Sequence, residues 1–169
     1  MERSRYITYL QIALVSLTCV TTLGITGSQA ATSGLPNKAL TPGGIDSRVT
    51  QSNIQSTICV LGYTRTVRPP VSYTSPLKRG QLNNGYNVGG DTSMRDYEED
   101  HLVPLEVGGS PASVKNLWPE PRFGANNAAM KDQLENKIHL LVCSGRLSLT
   151  AGQRAFMDNW VNAYKKYVG

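Results

Sequence analysis

The chain has 169 residues, a formal net charge of +5 at neutral pH and three cysteines. Its length fits one domain with processed or flexible ends, and we find neither an internal repeat nor a second domain. The basic excess is mild, so it permits a polyanionic partner without requiring one.

The first part of the chain has the pattern of a secretory signal. Arg3 and Arg5 supply a positive start, an apolar run covers 12–20, and small residues at 27–31 suit cleavage. A membrane anchor is the weaker alternative, because the apolar run is shorter than the roughly 18 residues that a spanning helix needs. We therefore expect a secreted or extracytoplasmic protein, with 1–30 as its signal peptide and no stable membrane association after cleavage.

Cys59 and Cys143 are the cysteines that remain after signal removal. An even pair in an exported protein predicts a disulfide. In the chain-entropy model, closing a loop of this length stabilises the fold by on the order of 4 kcal/mol. Two free thiols are less expected outside the cytoplasm. Metal binding by the two cysteines is less expected still, since no other Cys and no closely spaced His completes a set of zinc ligands.

The N-terminal half of the remaining chain predicts few regular elements. Small and polar residues dominate 31–47, which we predict to be a flexible leader before a domain that covers 48–169. Prolines and glycines interrupt much of the stretch from 62 to 90. The predicted elements are a short helix over 50–58 and a strand or extended segment over 59–67. The stretch over 73–87 is predicted to be mostly irregular, with a short helix around 77–82 left open.

Hydrophobic periodicity predicts a long helix in the C-terminal part. Leu134, Ile138 and Leu141 fall on one face of it. The helix is predicted to begin at Asn126 or Asn127, either of which suits an N-cap. The other predicted elements are a strand over 97–104, a turn at 108–109, a rigid corner at 118–121 and a second helix from about 149.

One short stretch holds the residue types that phosphodiester hydrolysis needs. Asp100 and His101 are adjacent, and Asn116 follows fifteen residues after the histidine. A neutral histidine can accept a proton from water, and a carboxylate is a ligand for a hard cation such as Mg²⁺. Adjacent residues of a regular strand point to opposite faces. Both side chains therefore reach one groove only if the strand ends or bulges there.

These residues also carry a family resemblance. The run DHLVPL at 100–105, the glycines at 108–109 and the pair Asn116-Leu117 resemble the HNH endonucleases of the His-Me finger, or ββα-metal, group. The wider segment from Ile54 onward is similar to exported bacterial HNH-like proteins. The resemblance implies an α+β fold with a small ββα-metal core flanked by helices and one disulfide. It implies hydrolysis of DNA, possibly RNA, with little sequence specificity and nucleic acid as the partner.

The resemblance implies roles for individual residues. His101 corresponds to the general base that activates water, Asp100 to a metal ligand, and Asn116 to the residue that holds the loop and orients the histidine. A further metal ligand is expected at Asn127, with Asn126 as the alternative. For Asn127 a simple N-cap role is equally compatible with the sequence.

Lys131, one turn after Asn127, and Arg122 are candidates for contact with phosphate. The implied cofactor is a divalent metal, Mg²⁺ before Mn²⁺. Two other functions stay open. One is a non-enzymatic exported binding or envelope-associated protein on an inactive HNH-like scaffold. The other is a secreted toxin or nutrient-scavenging nuclease with an inhibitor protein as partner.

Overall fold

The computed structural model describes residues 34–169, so the predicted signal peptide lies outside the described residues. The mixed α+β class is confirmed. None of the described helices is both long enough and apolar enough to cross a membrane. In chain order the helices and strands are α1 (Tyr63–Val67), α2 (Val71–Gln81), β1 (Tyr97–His101), β2 (Leu117–Pro121), α3 (Ala128–Cys143) and α4 (Leu149–Tyr167).

Strands β1 and β2 form an antiparallel two-stranded sheet. Just beyond them, Leu102 N donates to Asn116 O at 2.8 Å, which fixes the alternation of hydrogen-bonded pairs along the ladder. Pro119 and Pro121 fall at the other positions, whose N–H would point away from β1. The strand therefore tolerates both prolines. The corner predicted at 118–121 is wrong, because this segment is β2.

Helix α2 occupies a stretch that was predicted to be mostly irregular. Pro76 and Gly80 lie inside it and are unfavourable helix residues. Tertiary contacts hold the helix in place: the Lys78 ammonium donates to the carbonyl oxygens of Met94 and Tyr97, both at 2.8 Å. These contacts join α2 to the region of β1, and local helix propensity does not predict them because the partners are distant in the sequence.

The strand predicted over 59–67 is also wrong. Gly62 adopts a φ of 84° and stands at the N-terminus of the short helix α1. Such a left-handed turn suits glycine, and it redirects the chain into the helix. Of the helix predicted over 50–58, a single 3-10 turn at Ile54–Ser56 is formed.

The segment 34–47, predicted to be flexible, packs onto the domain. Thr41 is fully buried, and its hydroxyl lies 2.5 Å from the hydroxyl of Tyr86. Gly44 N donates to the side-chain oxygen of Asn116 at 3.1 Å. These partners are distant in the sequence, so composition alone gave no sign of them. The prediction of a flexible leader is therefore corrected from Gly34 onward.

The hydrophobic core joins α3 and α4 to the sheet. Its members include Trp118, Leu134, Ile138, Val142, Phe156 and Trp160. The predicted disulfide is confirmed: Cys59 is bonded to Cys143, with 5.6 Å between their Cα atoms. It ties the region after the 3-10 turn to the C-terminal end of α3.

Candidate functional site

The ladder between β1 and β2 is regular through the end of β1. Asp100 lies opposite Trp118, and His101 lies opposite Leu117. No bulge separates the two residues, so their side chains point to opposite faces of the sheet. The expectation that a bulge or strand end brings both into one groove is therefore not met.

Three carboxylates gather on the face that carries Asp100. Glu98 lies opposite Glu120 in the ladder, and Asp100 is two residues further along β1, so all three share this face. One oxygen from each lies within 4.8 Å of the others. Such hard oxygen donors fit Mg²⁺ or Mn²⁺. Glu98 and Glu120 were missed from the sequence, although the two-residue spacing of Glu98 and Asp100 was a usable signal.

Glu120 is the most enclosed member of this carboxylate group. It is 1% exposed, and no donor from the described part of the chain hydrogen-bonds to either of its oxygens. The carboxyl of Asp100 is within hydrogen-bonding reach of Glu120. A hydrogen bond between two carboxyls requires a proton on one of them. Buried acceptors without donors are uncommon, and a cation would satisfy them.

Lys131 places a positive charge on the same face. Its ammonium lies 2.5 Å from an Asp100 oxygen and 2.9 Å from the His101 carbonyl oxygen. It also pairs with Glu135 and lies 3.7 Å from Glu120. The side chain is fully buried. The predicted contact of Lys131 with phosphate is therefore wrong, because its ammonium is enclosed and already paired.

Burial and the Lys131 ammonium together set the protonation of this cluster. Burial acts to raise the pKa of Asp100, but the charge of Lys131, hydrogen bonds from Glu120 and Lys131 and the charge of His101 together outweigh it and lower the pKa to about 2. Burial raises the pKa of Glu120 well above its usual range, against the opposing charge of Lys131. Burial likewise raises the pKa of Glu135 to about 8. The Lys131 ammonium therefore stabilises the charged form of Asp100, while burial favours the protonated forms of Glu120 and Glu135.

His101 lines a separate pocket of about 240 Å³ between α2 and β1. Its Nε2 lies 2.8 Å from the carbonyl oxygen of Pro111. A carbonyl only accepts, so Nε2 carries the proton and the neutral ring keeps its lone pair on Nδ1. Burial lowers the pKa of His101, although the charge of Asp100 opposes this shift. The ring is therefore neutral near pH 7 and suited to accept a proton.

Three cationic side chains line the same pocket: Arg68, Lys78 and Arg122. Arg122 pairs with Glu98 at 2.8 Å. Lys78 is held by two backbone carbonyls. Arg68 is exposed at the surface, and it forms no ion pair within residues 34–169. Arg122, which was predicted to contact phosphate, therefore lines this pocket but is paired with Glu98. Arg68 is the most available cation beside His101.

Glu99 shares the pocket and the sheet face of His101. Both of its carboxyl oxygens are buried, and neither has a hydrogen-bond partner in the described portion of the chain. Burial raises the pKa of Glu99 to about 8, although Lys78 acts in the opposite direction. A neutral carboxyl therefore faces this pocket at pH 7.

Asn116 holds the connection between β1 and β2. It is fully buried, and its side-chain oxygen accepts from Val103 N at 2.9 Å and from Gly44 N at 3.1 Å. Its side-chain nitrogen donates to the carbonyl oxygens of Val103 and Ser110, both at 3.0 Å. The residue after Ser110 is Pro111, whose carbonyl oxygen binds His101. Asn116 therefore fixes the segment that orients the imidazole.

Asn127 lies at the start of α3 and serves the helix. Its side-chain oxygen accepts from Met130 N at 3.0 Å, and its side-chain nitrogen donates to Gly124 O at 2.8 Å. The N-cap interpretation is confirmed. The oxygen that a metal would need is engaged in the cap, so we leave Asn127 out of the candidate metal ligands. Asn126, the alternative, precedes the cap and is half-buried.

We found no match to this chain among protein-family models, curated proteins or solved structures. Function therefore has to be argued from the arrangement of side chains. That arrangement offers a neutral histidine in a cationic pocket and a group of hard oxygen donors beside it. Glu98 belongs to both, because it lines the pocket and is one of the three clustered carboxylates.

Proposed function

We propose that this chain is an exported, metal-dependent endonuclease that hydrolyses phosphodiester bonds of DNA or RNA with little sequence specificity. The observation that carries the proposal is the hydrogen bonding of the His101 ring and its place in a cationic pocket. Its Nε2 is committed to Pro111 O, which leaves Nδ1 as a base, and it lines a pocket with Arg68 and Arg122. A neutral base among cations suits attack of water on a phosphate.

In this proposal the side chains of the pocket divide the work. Arg68 and Arg122 bind the phosphate and offset its negative charge. His101 takes a proton from the attacking water through Nδ1. Asn116 acts indirectly, because it holds the loop whose Pro111 carbonyl orients the imidazole. The ring is only 2% exposed, so the pocket is the route by which water and substrate reach it.

The residues that would hold the cation are Glu98, Asp100 and Glu120. When bound there, a divalent cation neutralises charge on the phosphate and stabilises the leaving oxygen. The unsatisfied oxygens of Glu120 support this assignment. Because Glu98 also lines the His101 pocket, the carboxylate group and the base adjoin although they lie on opposite sheet faces.

A second candidate function is non-enzymatic binding of nucleic acid on an inactive scaffold. The observation that favours it is Lys131, whose ammonium already supplies a cation to Asp100. The cluster is charge-balanced without a metal. In that case the cationic pocket would bind a phosphate backbone and no hydrolysis would follow.

The deciding experiment is digestion of plasmid DNA and of RNA by the full chain with Mg²⁺, Mn²⁺ or EDTA. We expect metal-dependent cleavage that falls by roughly 10²- to 10⁴-fold in His101→Ala, the range for loss of a general base. Arg68→Gln should lower kcat/KM. The matched control Arg65→Gln removes an exposed arginine that does not line the pocket and should leave cleavage unchanged.

Circular dichroism should show the native spectrum for each variant. A native spectrum shows that a loss of activity does not result from a failure to fold. Equal, metal-independent background from the native chain and from His101→Ala would rule out the enzyme. Fluorescence anisotropy with a labelled oligonucleotide then tests the second function. Binding that weakens in Arg68→Gln without any cleavage would support the binding protein.

A further inference from the structure

A second group of metal-binding side chains lies far along α3, away from the His101 pocket. His139 and Cys143 are one helical turn apart and so share a face of α3. Their donor atoms and the sulfur of Cys59 lie within 4.8 Å of one another. Glu106 adds a carboxylate, with an oxygen 3.4 Å from His139 Nδ1.

The imidazole of His139 is already oriented as a metal ligand would be. Its Nε2 lies 3.0 Å from the carbonyl oxygen of Ile58. The carbonyl accepts, so Nε2 donates to it and Nδ1 is the nitrogen left for a metal. Metal-bound histidines commonly donate their other ring N–H to a backbone carbonyl in this way. Nδ1 is the ring nitrogen that lies beside Glu106.

The group is reachable from solvent. A cavity of about 260 Å³ is lined by Cys59, Glu106 and His139. The side chains of His139 and Glu106 are 28% and 26% exposed. An ion entering this cavity would meet sulfur, nitrogen and oxygen donors without passing through the core.

We propose that, once the Cys59–Cys143 disulfide is reduced, the chain binds one Zn²⁺-class cation through Cys59, Cys143, His139 and Glu106. Two thiolates, an imidazole and a carboxylate form a donor set that suits tetrahedral zinc. Sequence spacing gives only half of this site: His139 and Cys143 are four residues apart, whereas Cys59 and Glu106 join them only in the folded chain.

The chemistry balances with a dithiol as reductant. A thiolate of the dithiol attacks one sulfur of the disulfide, and the resulting mixed disulfide closes to the cyclic disulfide of the reagent. The chain gains two electrons and two protons as two thiols. Binding of the cation then releases those two protons, because the ligands are thiolates.

The distances permit the change from disulfide to metal site. Zinc binds sulfur at about 2.3 Å and imidazole nitrogen at about 2.0–2.1 Å, so ligand atoms around one ion stand roughly 3.5–4 Å apart. The donors of Cys59, His139 and Cys143 already lie within 4.8 Å. With the S–S bond broken, rotation of the two cysteine side chains separates the sulfurs, while their Cα atoms stay near 5.6 Å apart.

The site would preserve the link between the Cys59 region and the end of α3 in a reducing environment. It does not depend on the proposed nuclease activity, since it shares no residue with the His101 pocket or the carboxylate group.

The test is a Co²⁺ titration of the full chain carrying Cys19→Ser, which leaves two cysteines to consider. After reduction with a dithiol and its removal without oxygen, we expect a thiolate-to-Co²⁺ charge-transfer band that saturates at one ion per chain. Zn²⁺ should abolish the band by displacing Co²⁺. The oxidised chain should show no band.

His139→Ala should weaken Co²⁺ binding by more than the roughly 10- to 100-fold that loss of an outer-shell partner costs. Leu140→Ala, which changes an exposed neighbour on α3, is the matched control and should bind as the native chain does. Absence of a charge-transfer band in the reduced chain overturns the proposal, whether or not that chain stays folded. Equal affinity in His139→Ala overturns it too, because the thiolates would then bind without the imidazole.

Discussion

The ammonium of Lys131 lies 2.5 Å from the Asp100 carboxylate, in the space between α3 and β1. The sequence pointed to Asp100 as a metal ligand and to Lys131 as a phosphate contact. Instead the two residues neutralise each other inside the protein. Any cation that Asp100 shares with Glu98 and Glu120 therefore joins a cluster that already contains one positive charge.

Lys131→Met should be strongly destabilising. It removes the ammonium and leaves the carboxyls of Asp100, Glu120 and Glu135 enclosed without a cation. Breaking a buried ion pair from one side costs about 3–5 kcal/mol, and urea unfolding measures the loss. Lys137→Met makes the same exchange at an exposed position of α3 and is the control. Similar stability of the two variants would show that Lys131 contributes little to folding.

Asn116→Asp should disrupt the loop between β1 and β2 with almost no change of volume. It replaces a donating amide nitrogen with an oxygen that faces the carbonyls of Val103 and Ser110. Each buried group left unsatisfied costs about 1–3 kcal/mol. We expect lower stability in urea and faster hydrogen exchange at the Val103 amide. Asn136→Asp, at an exposed site, should change neither. Unchanged exchange at Val103 would contradict this role of Asn116.

Gly109→Ala should be among the most damaging small substitutions in the chain. A Cβ there would stand 1.8 Å from the carbonyl oxygen of Val103, so the backbone has to move. Gly80→Ala, within α2, meets nothing within 4 Å. It should stabilise by about 0.5–1 kcal/mol through helix propensity. The midpoint of thermal unfolding should therefore fall in Gly109→Ala and rise in Gly80→Ala. Equal shifts in the two variants would argue against close packing at Gly109.

Glu99→Gln should flatten the pH dependence of stability. The folded pKa of Glu99 is raised to about 8, above its usual value of 4.5. Its contribution is therefore fully present below about pH 4.5, falls as pH rises towards 8, and stays lost above that. The effect is on the order of 2 kcal/mol after allowance for solvent screening.

Urea unfolding at pH 5, 7 and 9 tests the Glu99 prediction. The native chain should lose stability from pH 5 to pH 9, and Glu99→Gln should lose less. Asp158→Asn changes an exposed carboxylate and should leave the profile of the native chain intact. If Glu99→Gln and the native chain have parallel profiles, the Glu99 carboxyl of the native chain titrates alike in the folded and unfolded states, and the prediction is wrong.

Some of this structure follows directly from local sequence. The spacing of Leu134 and Ile138 identified the buried face of α3, because helical periodicity needs no tertiary information. The disulfide was predicted from the even number of cysteines that remain when the predicted signal peptide is left out. Asn127 was one of two candidate N-caps, because its residue type and position before an apolar repeat suit a cap, but the sequence left its expected role as a metal ligand open.

The candidate site was less predictable because it depends on strand register. Glu120 meets Glu98 only once β2 is known to pair with β1, and the prolines of β2 concealed that strand. Lys131 was expected to be available to phosphate, because lysine is almost never fully buried without a partner. The packing of Thr41 depends on Tyr86, forty-five residues away, which no local pattern reveals.

The packed segment that begins at Gly34 also determines where a newly made chain end would stand. If the predicted signal peptide is cleaved near residue 30, about three residues are left ahead of Gly34. A Cβ added to Gly34 would lie 3.2 Å from the Pro121 ring, at the end of β2. Three residues span at most about 10 Å. The new α-ammonium would therefore lie within about 10 Å of Gly34, and a tag fused there would begin near the end of β2.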